Sequence, residues 1–427
     1  MRTRRLLFLL LLFVPLLLPA QTKEKLERAR REFAAGDYAA TLRTLRSSKK
    51  LLRSDDDAAL LEAVSLLYTG DLGTAEAKLL ELNDRERGGV PIAWFYLGRV
   101  YHAQQLFTRA ATEYKRYLRE LPGEGPDRVR VTNLLRNVDN GIRAGFAVEG
   151  VLVENLGERV NSEYDEFGPI PSPTGSGRLY FTLSRPDLGT GQVHADVMVS
   201  EADQEGWGAP VSFGAFLNST AEESLADMSA NGQQLHYFRG DADGGGRFLV
   251  DTFRAEAGDK LVTLPSPAPL TTALGDASPF YGDPSGVFFA SNRAGGYGGM
   301  DLYVMDRLPT GGFGPARNLG PQVNGPYDEV TPFVARDGRT LYYSTNDPEF
   351  SIGGFDVVRS FRVIGGEGSF VRPENVGLPV NSAGDDTHFR LAPDTFSAFL
   401  SSDRADGRGR RDLYIVYYVE PREEMRE

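Results

Sequence analysis

The stretch NGPYDEVTPF, residues 324–333, is the clearest copy of a unit that recurs along the second half of the chain. It opens on an asparagine, carries an acidic pair four and five residues later, and then alternates apolar and polar residues. The same opening stands at Asn161, Asn218 and Asn381, and a degenerate copy starts at Thr271. The starts are 57, 53, 53 and 57 residues apart. This regular spacing predicts a repeated structural unit.

Each unit has the composition of four short strands. In the fourth unit, the turn Asp337-Gly338 precedes the aromatic segment Leu341-Tyr342-Tyr343, and further units end on segments such as Phe313-Gly314-Pro315. Four antiparallel strands to a unit are typical of a β-propeller blade, which leaves only short sheet edges exposed. The sequence therefore predicts an all-β five-bladed propeller over residues 146–421, with blades that begin near residues 161, 218, 271, 324 and 381.

The segment before the first unit predicts how the ring closes. Asn318-Leu319-Gly320 and Asn375-Val376-Gly377 each stand six residues before the asparagine that opens the next unit. Asn155-Leu156-Gly157 stands six residues before the asparagine of the first unit, although no blade precedes it. The last unit has no fourth strand of its own. We therefore expect the segment 148–156 to supply that strand and to close the ring.

Residues 23–143 follow a different pattern, rich in Ala, Leu, Arg and Glu, with apolar residues at helical spacing. One turn motif recurs at Gly36-Asp37, Gly70-Asp71 and Gln104-Gln105, each copy 34 residues after the last. A period of 34 residues is typical of stacked helix hairpins. The pattern predicts an α-solenoid of three hairpins, with a closing helix near residues 126–141.

Small residues stand six or seven positions before each of these turns, at Ala29, Ala63 and Gly98. Two closely packed helices need a small residue where they touch. A single hairpin cannot bury its own apolar face, so stacked hairpins share one core and leave a groove. We expect this groove to bind a protein partner. The alternative is that the helices only support the propeller.

The first twenty residues predict export. Arg2, Arg4 and Arg5 precede an apolar run from Leu6 to Leu18, and Pro19-Ala20 follows. This order is that of a cleaved secretory signal peptide, because a membrane-spanning helix needs roughly 20 apolar residues. No later stretch reaches that length, so no membrane span is expected after cleavage. We predict a periplasmic or outer-membrane-associated protein that is soluble or peripherally held.

These motifs resemble two known repeat families. The helix hairpins resemble tetratricopeptide repeats over about 120 residues, although the third copy lacks the glycine. The units of the second half resemble WD-like repeats of the TolB type. The whole order is similar to periplasmic envelope proteins of Bacteroidetes-type bacteria that are associated with type IX secretion and gliding. Many of those proteins continue into an OmpA-type peptidoglycan-binding domain. This chain stops at Glu427 without one, so we expect any wall attachment to come through a partner.

Composition excludes several classes of function. The 427-residue chain contains no cysteine, which excludes disulfides and thiolate metal sites. Its net charge of -12 argues against nucleic-acid binding, which needs a basic face. The segment 422–427 is expected to be a short tail after the propeller.

Recognisable chemistry is missing from the sequence. The four histidines, His102, His194, His236 and His388, lie far apart, and none has metal-ligand spacing. No zinc-protease, nucleophile-elbow or phosphate-loop motif occurs. The glycines of 295–299 indicate a tight turn. The acidic segment 241–244 lacks most ligand positions of a calcium loop, so we expect a solvated turn there. We predict no catalytic residue, no cofactor, no metal and no enzymatic activity.

The acidic pairs are the best candidates for a functional site. In an antiparallel blade the first strand begins where the second strand ends, so the pairs are expected on one face together with nearby arginines. One interpretation is that each pair stabilises its own loop and a neighbouring arginine. The other is a ring of carboxylates at the channel mouth that receives a cation or a basic peptide. The candidate residues are Asp165, Glu166, Glu222, Glu223, Asp276, Asp328, Glu329, Asp385, Asp386, Arg185, Arg293 and Arg404.

The two domains together predict a non-enzymatic scaffold of the cell envelope. The helical groove would hold one protein partner and a propeller face another, in or near a type IX secretion or outer-membrane assembly. Tyr164, Tyr297 and Tyr327 are candidates for that face, because aromatic side chains anchor interfaces well. Two alternatives stay open: a receptor for a glycan or a peptidoglycan fragment, and a propeller hydrolase with its site at the central channel.

Overall fold

The computed structural model divides the chain into two compact units, Met1–Val138 and Asp139–Glu427. Except for Ala20, the predicted signal peptide lies outside the described residues, as do the tail 422–427 and residues 242–244 of the predicted solvated turn. The described residues are 20–84, 90–145, 148–187, 189–213, 217–241, 245–252, 263–363, 365, 369–394 and 396–420.

Eight helices precede the first strand in the part of the chain that the structure describes, and a five-bladed propeller follows them, so the predicted fold class is confirmed. The short third helix was not predicted. The helices are α1 (Ala20–Ala34), α2 (Tyr38–Arg46), α3 (Lys49–Ser54), α4 (Asp56–Tyr68), α5 (Leu72–Asn83), α6 (Pro91–Ala103), α7 (Phe107–Glu120) and α8 (Pro126–Ala144).

The turns between α1 and α2, α4 and α5, and α6 and α7 each contain one residue with left-handed backbone. Gly36 and Gly70 have φ angles of 79° and 80°, and Gln105 has φ 58°. The sequence pattern placed Gln104 in register with the two glycines. That alignment was wrong by one residue, because α6 continues to Ala103 and moves the left-handed position to Gln105.

Small residues allow the helices of a hairpin to approach closely. Ala29 and Ala63 are fully buried. Gly98 of α6 faces Tyr114 of α7, and a Cβ atom at Gly98 would come closer than 3 Å to the tyrosine ring. Tyr114 is itself fully buried and its hydroxyl lies 3.3 Å from His102 Nδ1. The third hairpin is therefore held by a glycine against an aromatic ring.

The second unit is built of antiparallel sheets, one to each blade. Its strands are β1 (Val151–Asn155), β2 (Asp165–Pro171), β3 (Arg178–Pro186), β4 (Val193–Asp203), β5 (Gly206–Trp207), β6 (Val211–Ser212), β7 (Glu223–Met228), β8 (Gln234–Gly240), β9 (Gly246–Thr252), β10 (Thr263–Pro265), β11 (Ala277–Phe280), β12 (Gly286–Ser291), β13 (Asp301–Arg307), β14 (Phe313–Asn318), β15 (Glu329–Val334), β16 (Thr340–Thr345), β17 (Asp356–Phe361), β18 (Glu374–Asn375), β19 (Asp386–Leu391), β20 (Ser397–Ser402) and β21 (Asp412–Tyr418).

The strand that precedes the first blade lies in the last one. β1 pairs antiparallel with β21, in a register that runs from Val151 opposite Tyr418 to Asn155 opposite Tyr414. The sheet of the fifth blade therefore has the order β1, β21, β20, β19. The two ends of the propeller are joined by the backbone hydrogen bonds of this pair.

Apolar side chains pack mainly between neighbouring blades. One cluster joins Phe288 of the third blade to Tyr343 of the fourth, and another joins Tyr342 of the fourth to Tyr414 of the fifth. A further cluster joins the fifth blade to the first, around Phe181. Alternate residues of each aromatic strand thus face opposite neighbours, as the period-two pattern of a strand requires.

Candidate functional site

The second carboxylate of each acidic pair, like Asp276 of the third blade, lies within one residue of the start of the innermost strand of its blade. Glu223 lies opposite Arg239, Glu329 opposite Thr345, and Asp386 opposite Ser402, where the second strand of each blade ends. Glu166 lies opposite Leu183, in the last part of β3, which ends at Pro186. The acidic positions therefore share one end of the blades.

These carboxylates are buried and accept hydrogen bonds from their own loops. Ser162 Oγ donates to Glu166, and Ser382 Oγ donates to Asp386 at 2.8 Å. Backbone N–H groups donate in the other blades, as Gly325 does to Glu329 at 3.0 Å. Five of the candidate carboxylates are 4% exposed or less: Glu166, Glu223, Asp276, Glu329 and Asp386.

In three blades an arginine neutralises the buried carboxylate. The nitrogen to oxygen distances are 2.8 Å for Arg239 and Glu223, 2.5 Å for Arg293 and Asp276, and 2.6 Å for Arg404 and Asp386. Arg239 was missed at the sequence level, because it lies within the second strand of its blade, opposite Glu223, and not two residues beyond the opposite position as Arg404 does. Arg185 is exposed and makes no ion pair with a described acidic residue.

The first carboxylate of a pair bonds to the preceding blade. Asp328 Oδ1 accepts from the Met300 backbone N–H at 2.8 Å, and Asp385 Oδ1 accepts from that of Phe355 at 3.0 Å. In the first blade, Asp165 forms a two-pronged ion pair with Arg411 at 2.7 and 2.9 Å. The remaining member, Glu222, is exposed.

Glycine-rich turns fit beneath these acidic loops. A Cβ atom at Gly298 or Gly299 would come closer than 3 Å to the loop of Tyr327 and Asp328 in the next blade. A Cβ atom at Gly353, Gly354 or Gly409 would likewise come closer than 3 Å to the acidic loop of the blade that follows. The segment 295–299 is thus a turn whose glycines let two blades touch.

The asparagines that open four of the blades bond to the third strand of the preceding blade, a network that the sequence pattern indicated only as spacing. Asn324 accepts from the Leu302 N–H at 2.8 Å and donates to its carbonyl at 3.0 Å. Asn318 accepts from Asn324 at 2.8 Å and donates to Asp301 at 2.7 Å. The same bonds connect Asp356, Asn375 and Asn381, and also Asp412, Asn155 and Asn161.

The contacts of most acidic pairs are those expected if the pairs stabilise their blades. Two carboxylates differ, because neither forms an ion pair with an arginine in the part of the chain that the structure describes. Burial raises the pKa of Glu166 to about 7, and the carboxylates of Asp412 and Asp165 add to that rise. Burial also raises the pKa of Glu329 to about 7, with smaller effects of Asp301 and Asp347.

The innermost strands surround the propeller axis, and each has an irregular register near its middle. Ser278, Thr331 and His388 have left-handed backbone at these irregularities. They line a cavity of about 30 Å³, which has room for about one water molecule. Arg390 also lines this cavity, and it lies 3.7 Å from Asp227.

A larger cavity of about 500 Å³ lies beside the fourth blade. Glu329, Thr345 and Asp347 lie along its wall, together with the aromatic rings of Tyr343 and Phe350. A Cβ atom at Gly325 would stand 3.2 Å from Asp347 Oδ2 and 3.6 Å from Glu329 Oε1, so the two carboxylates lie close together. Such a cavity has the size of a ligand pocket.

The other candidate residues are scattered. Tyr297 is 51% exposed, at the edge of this cavity, whereas Tyr164 and Tyr327 are half-buried. His236 stacks on Tyr281 at 3.8 Å, and burial lowers its pKa to about 4.

Within the described ranges, no three His, Asp or Glu side chains are placed to hold a metal ion. None of the described helices is long and apolar enough to cross a membrane.

No model of a known protein family matches this sequence, and no curated protein does. A putative TolB from Agrobacterium tumefaciens is 14% identical, with a TM-score of 0.30, over 63% of this chain and 97% of that chain. An endo-arabinase from Bacteroides thetaiotaomicron is 13% identical, with a TM-score of 0.40, over 61% and 95%. The β-propeller domain of the Trilobed protease from Pyrococcus furiosus is 8% identical, with a TM-score of 0.28, over 60% and 68%. These similarities do not indicate an activity for this chain.

Proposed function

We propose that the protein is a non-enzymatic scaffold of the cell envelope, in which the helical repeats hold one protein and the propeller holds another. The observation that carries this proposal is the use of the polar residues that recur in the blades. Their carboxylates, asparagines and arginines bond to one another, to their loops and to the next blade. The residues that bind a partner are then those at which the blades differ from one another, as in other repeat architectures.

The charges of the two domains support two different partners. Residues 21–145 contain 22 Lys and Arg and 18 Asp and Glu, whereas residues 146–427 contain 22 and 41. An acidic surface favours the approach of basic partners and disfavours acidic ones, and a mildly basic surface does the reverse. The helical domain and the propeller therefore suit partners of different charge.

The first twenty residues support a place for this scaffold outside the cytoplasm. With the signal peptide removed, the protein would lie in the periplasm or be held peripherally at the outer membrane, near a secretion or assembly machinery. Attachment there would come from its protein partners. The type IX secretion machinery is the assembly that the sequence resemblance suggests.

Cross-linking in native envelopes tests the proposal. A tagged protein with its signal peptide is expressed in its own host, cross-linked, captured, and its linked peptides are identified by mass spectrometry. We expect links from residues 21–145 to one envelope protein and links from the propeller to a second. The control is the same chain without residues 1–20, which stays inside the cell and should lose both sets. If no captured protein is lost in this control, the scaffold function is contradicted. The alternative, a receptor for a peptidoglycan fragment, would then be tested by titration with muropeptides.

A further inference from the structure

The fourth blade departs from the third and the fifth at one position. In the fifth blade, Arg404 stands two residues beyond Ser402, which lies opposite Asp386. In the fourth blade, the residue two beyond Thr345, which lies opposite Glu329, is Asp347. The third blade has Arg293 at this position. The fourth blade therefore has an acid where two sister blades have an arginine.

The sister blades show what surrounds a guanidinium at this place. Arg404 Nη2 donates to Asp386 at 2.6 Å and to the Val380 carbonyl at 2.7 Å, and its Cζ lies 4.6 Å from the centre of the Tyr414 ring. In the second blade, Arg239 donates to Glu223 and to the Leu217 carbonyl, both at 2.8 Å. Each site therefore has a buried carboxylate, the carbonyl just before the opening asparagine, and an aromatic ring.

The fourth blade keeps these parts without the arginine. Glu329 is 2% exposed and forms no ion pair with a described cationic side chain; its oxygens accept from Thr345 Oγ1 at 3.1 Å and from a backbone N–H. Val323 is the residue before the opening asparagine, and the Tyr343 hydroxyl donates a hydrogen bond to its carbonyl at 3.1 Å, which leaves that oxygen one further lone pair. All three residues line the cavity of about 500 Å³.

The mouth of the cavity also suits a planar cation. Tyr297 is exposed there, and Arg372 lies over the Phe350 ring at 5.1 Å while it pairs with Glu349. Stacking of guanidinium on aromatic rings is favourable, and the planar fork of arginine matches a carboxylate better than the ammonium of lysine does. The 41 acidic residues of the propeller portion add a general attraction for a basic segment.

We propose that this cavity binds the side chain of an arginine from a partner protein, whose guanidinium pairs with Glu329 as Arg404 pairs with Asp386. The inference rests on the proposed scaffold function and names the chemistry of the propeller's partner. The incoming guanidinium forms with Glu329 the arginine–carboxylate pair that the chain itself forms in three of its other blades.

Short peptides test the pocket directly. The probes are acetyl-Gly-Arg-Gly-amide, its lysine analogue, and its citrulline analogue, which keeps the shape of arginine but lacks the charge. They are titrated against the full chain from residue 21 by saturation-transfer NMR. We expect saturable binding of the arginine peptide and about tenfold weaker binding of the citrulline peptide, which corresponds to about 1.4 kcal/mol. Equal binding of both peptides, or no binding of either, overturns the proposal.

Two variants and a control locate the binding. Glu329→Gln should lower the affinity for the arginine peptide about tenfold. Asp347→Arg gives the fourth blade the residue of the third and the fifth, so it should fill the pocket from within and abolish binding while the melting temperature holds or rises. Glu163→Arg has the same change in charge at an exposed position and should bind as the parent does. Unchanged binding in Glu329→Gln overturns the proposal, even if Asp347→Arg fails to fold.

Arg372 supplies a further check, because it is a cationic side chain of the protein itself among the described residues that line the cavity. If Arg372 filled the pocket in solution, Arg372→Ala would raise the affinity for the arginine peptide many-fold. We expect the affinity to change less than twofold. These titrations need no envelope protein. A peptide that does not bind therefore removes the pocket alone, and only the cross-linking result bears on the scaffold itself.

Discussion

Buried carboxylates of two kinds stand side by side in this propeller. Glu223, Asp276 and Asp386 each have an arginine, so their charge is balanced inside the protein. Glu166 and Glu329 pair with no arginine among the described residues, and burial raises the pKa of both to about 7. The same position in the repeat therefore stabilises some blades and is a source of instability in others, because an unpaired buried charge is costly.

The substitution Glu329→Gln should stabilise the protein in mild alkali. The pKa of Glu329 is about 7 in the folded chain and about 4.5 when exposed, so between these values the unfolded chain ionises first and stability falls as pH rises. Above pH 7 the full cost is about 3 kcal/mol, of which the lost hydrogen bond of glutamine cancels about 1 kcal/mol. We expect a gain of about 2 kcal/mol at pH 8 and none at pH 5, measured by urea unfolding.

The matched substitution Glu223→Gln should do the opposite. It leaves Arg239 without its carboxylate, and Arg239 is largely buried. Loss of one partner of such a pair costs about 2 kcal/mol or more. If both variants change the free energy of unfolding in the same direction at pH 8, the distinction between paired and unpaired carboxylates does not hold.

His236 should make the propeller sensitive to acid. Its pKa is about 4 in the folded chain, against 6.5 when exposed, because it is buried against Tyr281. Its contribution is complete above pH 6.5 and is lost as pH falls towards 4, since the unfolded chain takes up the proton first. His236→Phe keeps a ring in the stack and should reduce the loss of stability between pH 7 and pH 5 by about 2 kcal/mol. An unchanged pH slope would show that His236 is not buried as described.

At the scale of elements, the helix hairpins depend on one left-handed residue each. Gly70 has a φ of 80°, a region that other residues occupy only with strain, whereas Gln105 tolerates 58°. Gly70→Ala should therefore lower the free energy of unfolding of the helical domain by about 1 kcal/mol, and Gln105→Gly should leave it unchanged or raise it slightly. Thermal unfolding followed by circular dichroism measures both. A large loss in Gln105→Gly would indicate that the glutamine side chain, not the backbone, holds the turn.

The elements also show how far the sequence leads. The recurring Asn, Asp and aromatic positions predict strands and blades, because each repeat imposes the same alternation on its neighbours. The one-residue shift at Gln105 could not be read from spacing alone, since it depends on where α6 ends against α7. Arg239 was missed for a related reason: it stands opposite Glu223, whereas Arg404 stands two residues further along. To predict such a pair, one must know which residues of the two strands lie opposite each other. The spacing of residues in the sequence does not show this.

In the whole molecule, residues that recur and residues that do not recur have different tasks. Asn155 of β1 bonds to Asp412 at 2.8 Å and to Asn161 at 2.8 Å, and so joins the start of the propeller to its end. The replacement of arginine by Asp347 was visible in the sequence, as STND at 344–347 against SSDR at 401–404. Its meaning was not visible, because the cavity beside Glu329 appears only when the blades are packed.

Closure of the ring should control the cooperativity of the propeller. Deletion of residues 146–157 removes β1 and with it the outer strand of the fifth blade. We expect the propeller of this variant to unfold over a broad range of denaturant, with a lower slope, instead of in one transition. A truncation that melts like the parent would show that the other four blades hold the ring without this strand.

The most direct test of the account compares two variants in the same envelope cross-linking experiment, with the yield of the propeller's partner expressed per folded molecule. Asp386→Asn changes a recurring residue, and Asp347→Arg changes a residue at which the blades differ. We predict that Asp386→Asn lowers the melting temperature and leaves the yield unchanged, and that Asp347→Arg keeps the melting temperature and lowers the yield severalfold. Loss of the partner in folded Asp386→Asn, with full capture by Asp347→Arg, would contradict the division between residues that build the ring and residues that bind.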